Sequence, residues 1–87
     1  MTDPHPPAVT LLTRPGCHLC EDARQSVGRV TAALGLGWDE VDVDSDPELA
    51  RRHAEEIPVV LVDGVPRDFW RIDERRLARL LRERLAG

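Results

Sequence analysis

The chain has 87 residues, 41% of them apolar, 3% aromatic and 32% charged, with a formal net charge of −4. That length allows one domain around one compact core. The acidic balance, the few aromatics and the lack of a basic stripe exclude phosphate-tracking nucleic-acid binding, and no apolar run approaches the roughly 20 residues of a membrane span.

The opening "MTDPHPP" has no apolar segment of the signal-peptide kind. Residues 1–7 read as a disordered lead-in and residues 8–87 as the domain, with the cytoplasm as its compartment. "AVTLLT" (8–13) is a nearly continuous apolar run with β-branched residues and reads as a buried strand. "RPG" breaks it. Cys20, Ala23, Val27, Val30 and Leu34 then recur at helical spacing, and Gly35 and Gly37 stop the helix. Gly28 costs this helix about 1 kcal/mol in propensity, for which close packing is the available reason.

"GWDEVDVDSD" alternates as a strand, with Val41 and Val43 inward and Trp38, Glu40 and Asp42 outward. Ser45 or Asp46 caps a short helix, "PELARRHAEE", whose inner face is Leu49, Ala50 and His53. "IPVVLVDG" is a second buried strand, and Asp63-Gly64 signals a hairpin into a strand near "VPRDFW". Phe69 and Trp70 end that strand; at least one is expected to pack under the last helix, the alternative being an exposed apolar lip beside the active site for a protein partner. Asp73 caps that helix, with Leu77, Leu80, Leu81 and Leu85 as its apolar stripe and arginines on the solvated side. The order βαβαββα predicts an α/β fold: one mixed four-stranded sheet flanked by helices.

The chain's two cysteines, Cys17 and Cys20, are spaced i, i+3 between a strand and a helix. A disulfide there closes too small a loop to stabilise much. Residues so spaced on a first helical turn do come within the roughly 4.4–6.8 Å between Cα atoms that a disulfide needs. Cys17 at the helix N-terminus would meet unpaired amides and the positive dipole end, which favour a thiolate, with Arg14 adding positive charge. Cys20 lies on the apolar stripe and is more shielded. An exposed attacking sulfur and a shielded resolving one are what dithiol exchange requires.

His18 is either an exposed first-turn residue or a modulator of the Cys17 thiolate. A closed zinc site wants four ligands, and only His5, His18 and His53 could join the cysteines, so no metal site within one chain is expected. Ile57-Pro58 heads an apolar strand, where proline cannot donate to the ladder. A cis bond there would account for it and leave the Ile57 backbone free to pair with an incoming chain.

"TRPGCHLC" after a strand, "IPVVLVDG" some forty residues on, and the βαβαββα order together resemble the glutaredoxin branch of the thioredoxin-like superfamily, most of all its small glutaredoxin-like proteins. The likeness spans residues 8 to 86. It implies a thioredoxin-like fold and thiol–disulfide oxidoreductase activity, with Cys17 as nucleophile and Cys20 as resolving cysteine. It also implies Pro58 as the cis-proline facing the pair, Ile57 as a backbone contact to substrate, and Arg14 as a basic substrate-binding residue. The expected partners are protein disulfides or small-thiol, glutathione-like adducts, with a separate reductant and no metal or organic cofactor, and the protein is expected to be a monomer. The chain departs from the glutaredoxin pattern in carrying His18-Leu19 between the cysteines, and "FWRIDERR" where a Gly-Gly turn is usual. The other reading is a non-catalytic thioredoxin-like binding module, or a zinc or iron–sulfur binding domain.

Overall fold

The computed structural model describes residues 6–86. The expected lead-in lies mostly outside the described residues, and so does His5; of the rest of it, Pro7 is buried. The chain runs β1 (Val9–Thr13), α1 (His18–Ala33), β2 (Asp39–Asp42), a 3-10 turn (Val43–Ser45), α2 (Pro47–His53), β3 (Val59–Val62), β4 (Val65–Phe69) and α3 (Glu74–Ala86). The four strands form one sheet in the order β2-β1-β3-β4. β1 and β2 are parallel, while β3 is antiparallel to β1 and to β4.

Both faces of the sheet are covered, which is why β1 and β3 are apolar without alternation. On one face Val9, Leu11, Val60 and Val62 pack with Ala23, Val27 and Val30 of α1 and with Leu77 and Leu81 of α3. On the other, Leu12, Val43 and Val59 form a smaller core with Val41, Leu49, Ile57 and Leu61 against it. The hairpin between β3 and β4 turns on Asp63 and Gly64, both at positive φ (53° and 81°). Two such residues give the backbone twist that a two-residue hairpin needs. Pro66 is accommodated because β4 is an edge strand, and the register slips beside it.

Several expectations are corrected. β2 ends at Asp42, and Val43 is fully buried from the 3-10 turn rather than from a strand. Trp38 is not outward: it packs against the α1 core, and Glu40 bonds Arg24 of α1. α1 packs against part of that face too, so Trp38 is half-buried there while Asp39 and Glu40 stay exposed. α2 is shorter than "PELARRHAEE", with Leu49, Ala50 and His53 half-buried and Asp46 as its cap. Gly28 is not explained by close packing, since a Cβ there would meet nothing within 4 Å. Leu85 is 47% exposed and Leu80 only half-buried. Each four-residue step advances 40° around a helix, so the line from Leu77 through Leu81 has rotated off the core by Leu85.

Topology gathers one set of segments at one end of the sheet. Parallel β1 and β2 both end there, at Thr13 and Asp42, which pair with each other. β3 begins there and β4 ends there, since Val59 pairs with both Leu12 and Phe69. The residues just beyond these strand ends are 14–17, 43–46, 57–58 and 70–73.

Candidate functional site

The connection from β1 to α1 is a tight turn. The Cys17 N–H donates to the Arg14 carbonyl at 3.3 Å, with Pro15 and Gly16 between, and Gly16 has φ +80°. Proline then positive-φ glycine is the composition of a type II turn, and a side chain in place of Gly16 would strain it. The turn delivers Cys17 as the N-cap of α1 in extended conformation (φ −86°, ψ 116°). Its Sγ accepts the Cys20 amide N–H at 3.2 Å, taking the part that a serine or aspartate oxygen plays in ordinary caps.

The two thiols are free and in unlike surroundings. Cys17 is half-exposed, whereas Cys20 has 0% of its surface accessible. Burial pushes the Cys20 thiol up from an ordinary 9.0 to about 11, and its hydrogen bond with the Cys17 side chain and the charge there push the same way. A backbone hydrogen bond from Arg14 and the charge of Arg24 oppose this without cancelling it. Cys20 is therefore a protonated thiol at neutral pH. At pH 8, iodoacetamide is expected to label Cys17 and spare Cys20, as peptide mapping by mass would read. The raised value also sets a pH limb on stability. Between about pH 9 and 11 the unfolded chain ionises at Cys20 and the folded one does not, so stability falls as pH rises through that window. Denaturation midpoints across that range would show the limb, and Cys20→Ser would lack it.

The remaining candidates come to the same end of the sheet. The Ile57–Pro58 peptide is cis, and Pro58 is fully buried with Ile57 half-buried. Arg14 does not stand free: its Nε and Nη2 donate to the two carboxylate oxygens of Asp44, at 3.3 and 3.2 Å. His18 is exposed on the first turn of α1. Among the described residues, no cluster of three or more His, Cys, Asp or Glu side chains is placed to hold a metal ion. None of their helices is long and apolar enough to cross a membrane.

Three further residues organise this end. Neither Phe69 nor Trp70 packs under α3 as expected; they are 36% and 56% exposed. Trp70 instead sits at φ +59°, donates its backbone N–H to the Pro58 carbonyl at 2.8 Å, and donates its indole Nε1–H to the Glu55 carbonyl at 3.3 Å. It ties the 55–58 segment to the end of β4. Asp68 is 6% exposed and accepts from the Phe69 and Asp73 amides (3.0 and 2.8 Å) and from Arg76 (2.8 Å). Asp73 caps α3 as expected, accepting the Arg76 amide at 3.1 Å. Asp44, Asp68 and Trp70 were missed as site-builders because each acts through a partner that only the folded chain brings near. An acid beside bulky residues in "RDFW" was the one local signal.

Residues 8–82 match the family described as Glutaredoxin-like domain (DUF836), and the chain belongs to that family. The uncharacterized protein Rv0508 of Mycobacterium tuberculosis is 36% identical over 76 residues, which cover 82% of this chain and 78% of that protein. Among solved structures, the X-ray structure of the structural-genomics target XcR50 from X. campestris superposes with a TM-score of 0.70 at 30% identity, over 87% of this chain and 97% of that one. A mutant thioredoxin from Halobacterium salinarum superposes with a TM-score of 0.71 at 17% identity, over 93% and 76% of the two chains, a likeness of fold. The protein is thus glutaredoxin-like, with a thioredoxin-type α/β fold and a Cys17-x-x-Cys20 pair at its sheet end.

Proposed function

We propose that the protein is a thiol–disulfide oxidoreductase that reduces protein or small-thiol mixed disulfides through Cys17 and Cys20. The observation that carries this reading is the asymmetry of the pair: a half-exposed Cys17 at a helix cap, its sulfur hydrogen-bonded to the backbone of a fully buried, protonated Cys20. The Cys17 thiolate attacks one sulfur of the substrate R–S–S–R′. The S–S bond breaks, R′S⁻ leaves, and Cys17 is joined to R as a mixed disulfide. Cys20 then gives up its proton and attacks the Cys17 sulfur. RS⁻ leaves, and the Cys17–Cys20 disulfide holds the two electrons' worth of oxidation taken from the substrate.

The order of steps follows from burial: Cys17 is half-exposed, whereas Cys20 is fully buried and that burial holds its thiol up at about 11. An incoming disulfide therefore meets Cys17 first. Ile57 and Pro58, at the same sheet end, form the substrate side, with the Ile57 backbone as a hydrogen-bonding edge. A separate reductant closes the cycle, and the proposed setting is the cytoplasm.

An equilibrium titration in defined dithiol redox buffers, with the free thiols trapped and counted by mass, tests the reading. A reversible two-electron step forming the Cys17–Cys20 disulfide is expected. Absence of that disulfide at every potential would overturn it in favour of a non-catalytic binding or metal-binding module.

A further inference from the structure

Arg14 opens the turn that presents Cys17, and its carbonyl accepts the Cys17 amide. It is the cation of that turn, Arg14-Pro15-Gly16-Cys17. Its guanidinium is already engaged in the two-pronged geometry that a carboxylate fits best. The carboxylate is the protein's own. Asp44 is held in place for this: its amide donates to the Asp42 carboxylate at 2.9 Å, the Ser45 hydroxyl donates to the Asp42 carbonyl at 2.6 Å, and the fully buried Val43 anchors the turn beside it. The pair itself is exposed, with side chains 39% and 52% accessible, and exposed pairs contribute little to stability. Its consequence lies in the charge it leaves on the turn that presents Cys17.

We infer that Asp44 is a positioning residue that occupies Arg14 from within and so steers the Cys17 site toward disulfides with no carboxylate near the scissile bond, such as those in peptide segments, and away from carboxylate-bearing small-thiol adducts. This rests on the oxidoreductase reading above. A substrate carboxylate must displace Asp44 to reach the guanidinium fork. A neutral flank meets no such competition. The Arg14–Asp44 pair has no net charge, so it also does nothing to draw anions to the site.

The test compares two oxidants of the reduced protein: glutathione disulfide, which carries carboxylates, and bis(2-hydroxyethyl) disulfide, which carries none. In both reactions the dithiol is oxidised to the Cys17–Cys20 disulfide and one RSSR becomes two RSH. The readout is the ratio of the two rate constants, in which any general effect on Cys17 cancels. Asp44→Asn is expected to raise the glutathione-disulfide ratio about threefold at low ionic strength, with the gain shrinking in high salt. In an Arg14→Gln background the same substitution should give almost no gain, because there is no fork to free. An unchanged ratio in Asp44→Asn, or an equal gain without Arg14, overturns the inference. Alkylation of Cys17 by iodoacetate against iodoacetamide supplies the same anionic-to-neutral comparison, with iodide as leaving group and no disulfide step. If neither disulfide oxidises the wild-type protein, the oxidoreductase reading falls, and the alkylation ratio alone decides whether Asp44 masks Arg14.

Discussion

Cys17→Ser is expected to bring disulfide reduction down to the protein-free background, whereas Cys20→Ser is expected to keep the first half of the reaction and lose the second. Serine in place of Cys17 keeps the shape of the cap, and its hydroxyl can still accept the Cys20 amide, so the fold is retained. The nucleophile is gone, because a serine hydroxyl without a base beside it does not attack sulfur at neutral pH. Cys20 cannot take over: it is buried, and its thiol sits at about 11. In Cys20→Ser the half-exposed Cys17 still attacks, and the mixed disulfide then has no internal partner to release it. Intact-mass analysis after exposure to a disulfide substrate reads both outcomes: no adduct on Cys17→Ser and one stable adduct on Cys20→Ser. An adduct on Cys20 in the first variant would reverse the assigned roles.

The second large effect concerns a residue with no part in the chemistry. Asp68→Ala is expected to cost about 2–3 kcal/mol of stability, measured by urea denaturation, with Asp68→Asn falling roughly midway. The Asp68 carboxylate joins the end of β4 to the start of α3 through the Asp73 amide and Arg76, and it also accepts from Phe69. Alanine leaves the Asp73 and Phe69 amides without that acceptor, in a place the carboxylate had filled. Asparagine keeps one acceptor oxygen but not the charge facing Arg76. The apolar docking of α3 rests on Leu77 and Leu81, two fully buried side chains worth roughly 1.5–3 kcal/mol each. Against a total of about 5–15 kcal/mol for an ordinary domain, loss of the Asp68 junction is a sizeable fraction. A change under about 0.5 kcal/mol would mean that the leucines alone hold α3 in place.

How legible each part was in the sequence follows the range of the interaction that fixes it. β1, α1 and the Asp63-Gly64 hairpin are set by neighbours in the chain, and their signals are local: a β-branched run, a helical apolar stripe, a turn dipeptide. The cysteine pair is local too, so its placement at a helix cap could be read from spacing alone. Trp38 was misjudged because the strand's alternation assumed a solvated outer side, and α1 packs there; Val43 is inward as expected but lies in the 3-10 turn after the strand. Leu85 was placed inside because a four-residue repeat of leucines reads as one helix face, although each such step rotates about 40° and carries the line off the core. At least one of Phe69 and Trp70 was expected to be covered, on bulk and hydrophobicity alone. In the structure, the two hydrogen bonds that Trp70 makes hold it at the surface. Arg14 was read as a free charge because its partner Asp44 lies 30 residues away in sequence.

The placement of the two tryptophans also gives the molecule a built-in optical label at each end of the sheet. There is no tyrosine, so these two indoles account for essentially all of its near-ultraviolet emission. Trp38 immediately precedes β2 at the end away from the cysteines, half-sheltered against the α1 core. Trp70 lies at the cysteine end, more than half open to solvent and bonded to the Pro58 carbonyl. A soluble quencher therefore reaches Trp70 first. What remains of the signal reports the core, and what is lost reports the neighbourhood of the thiols.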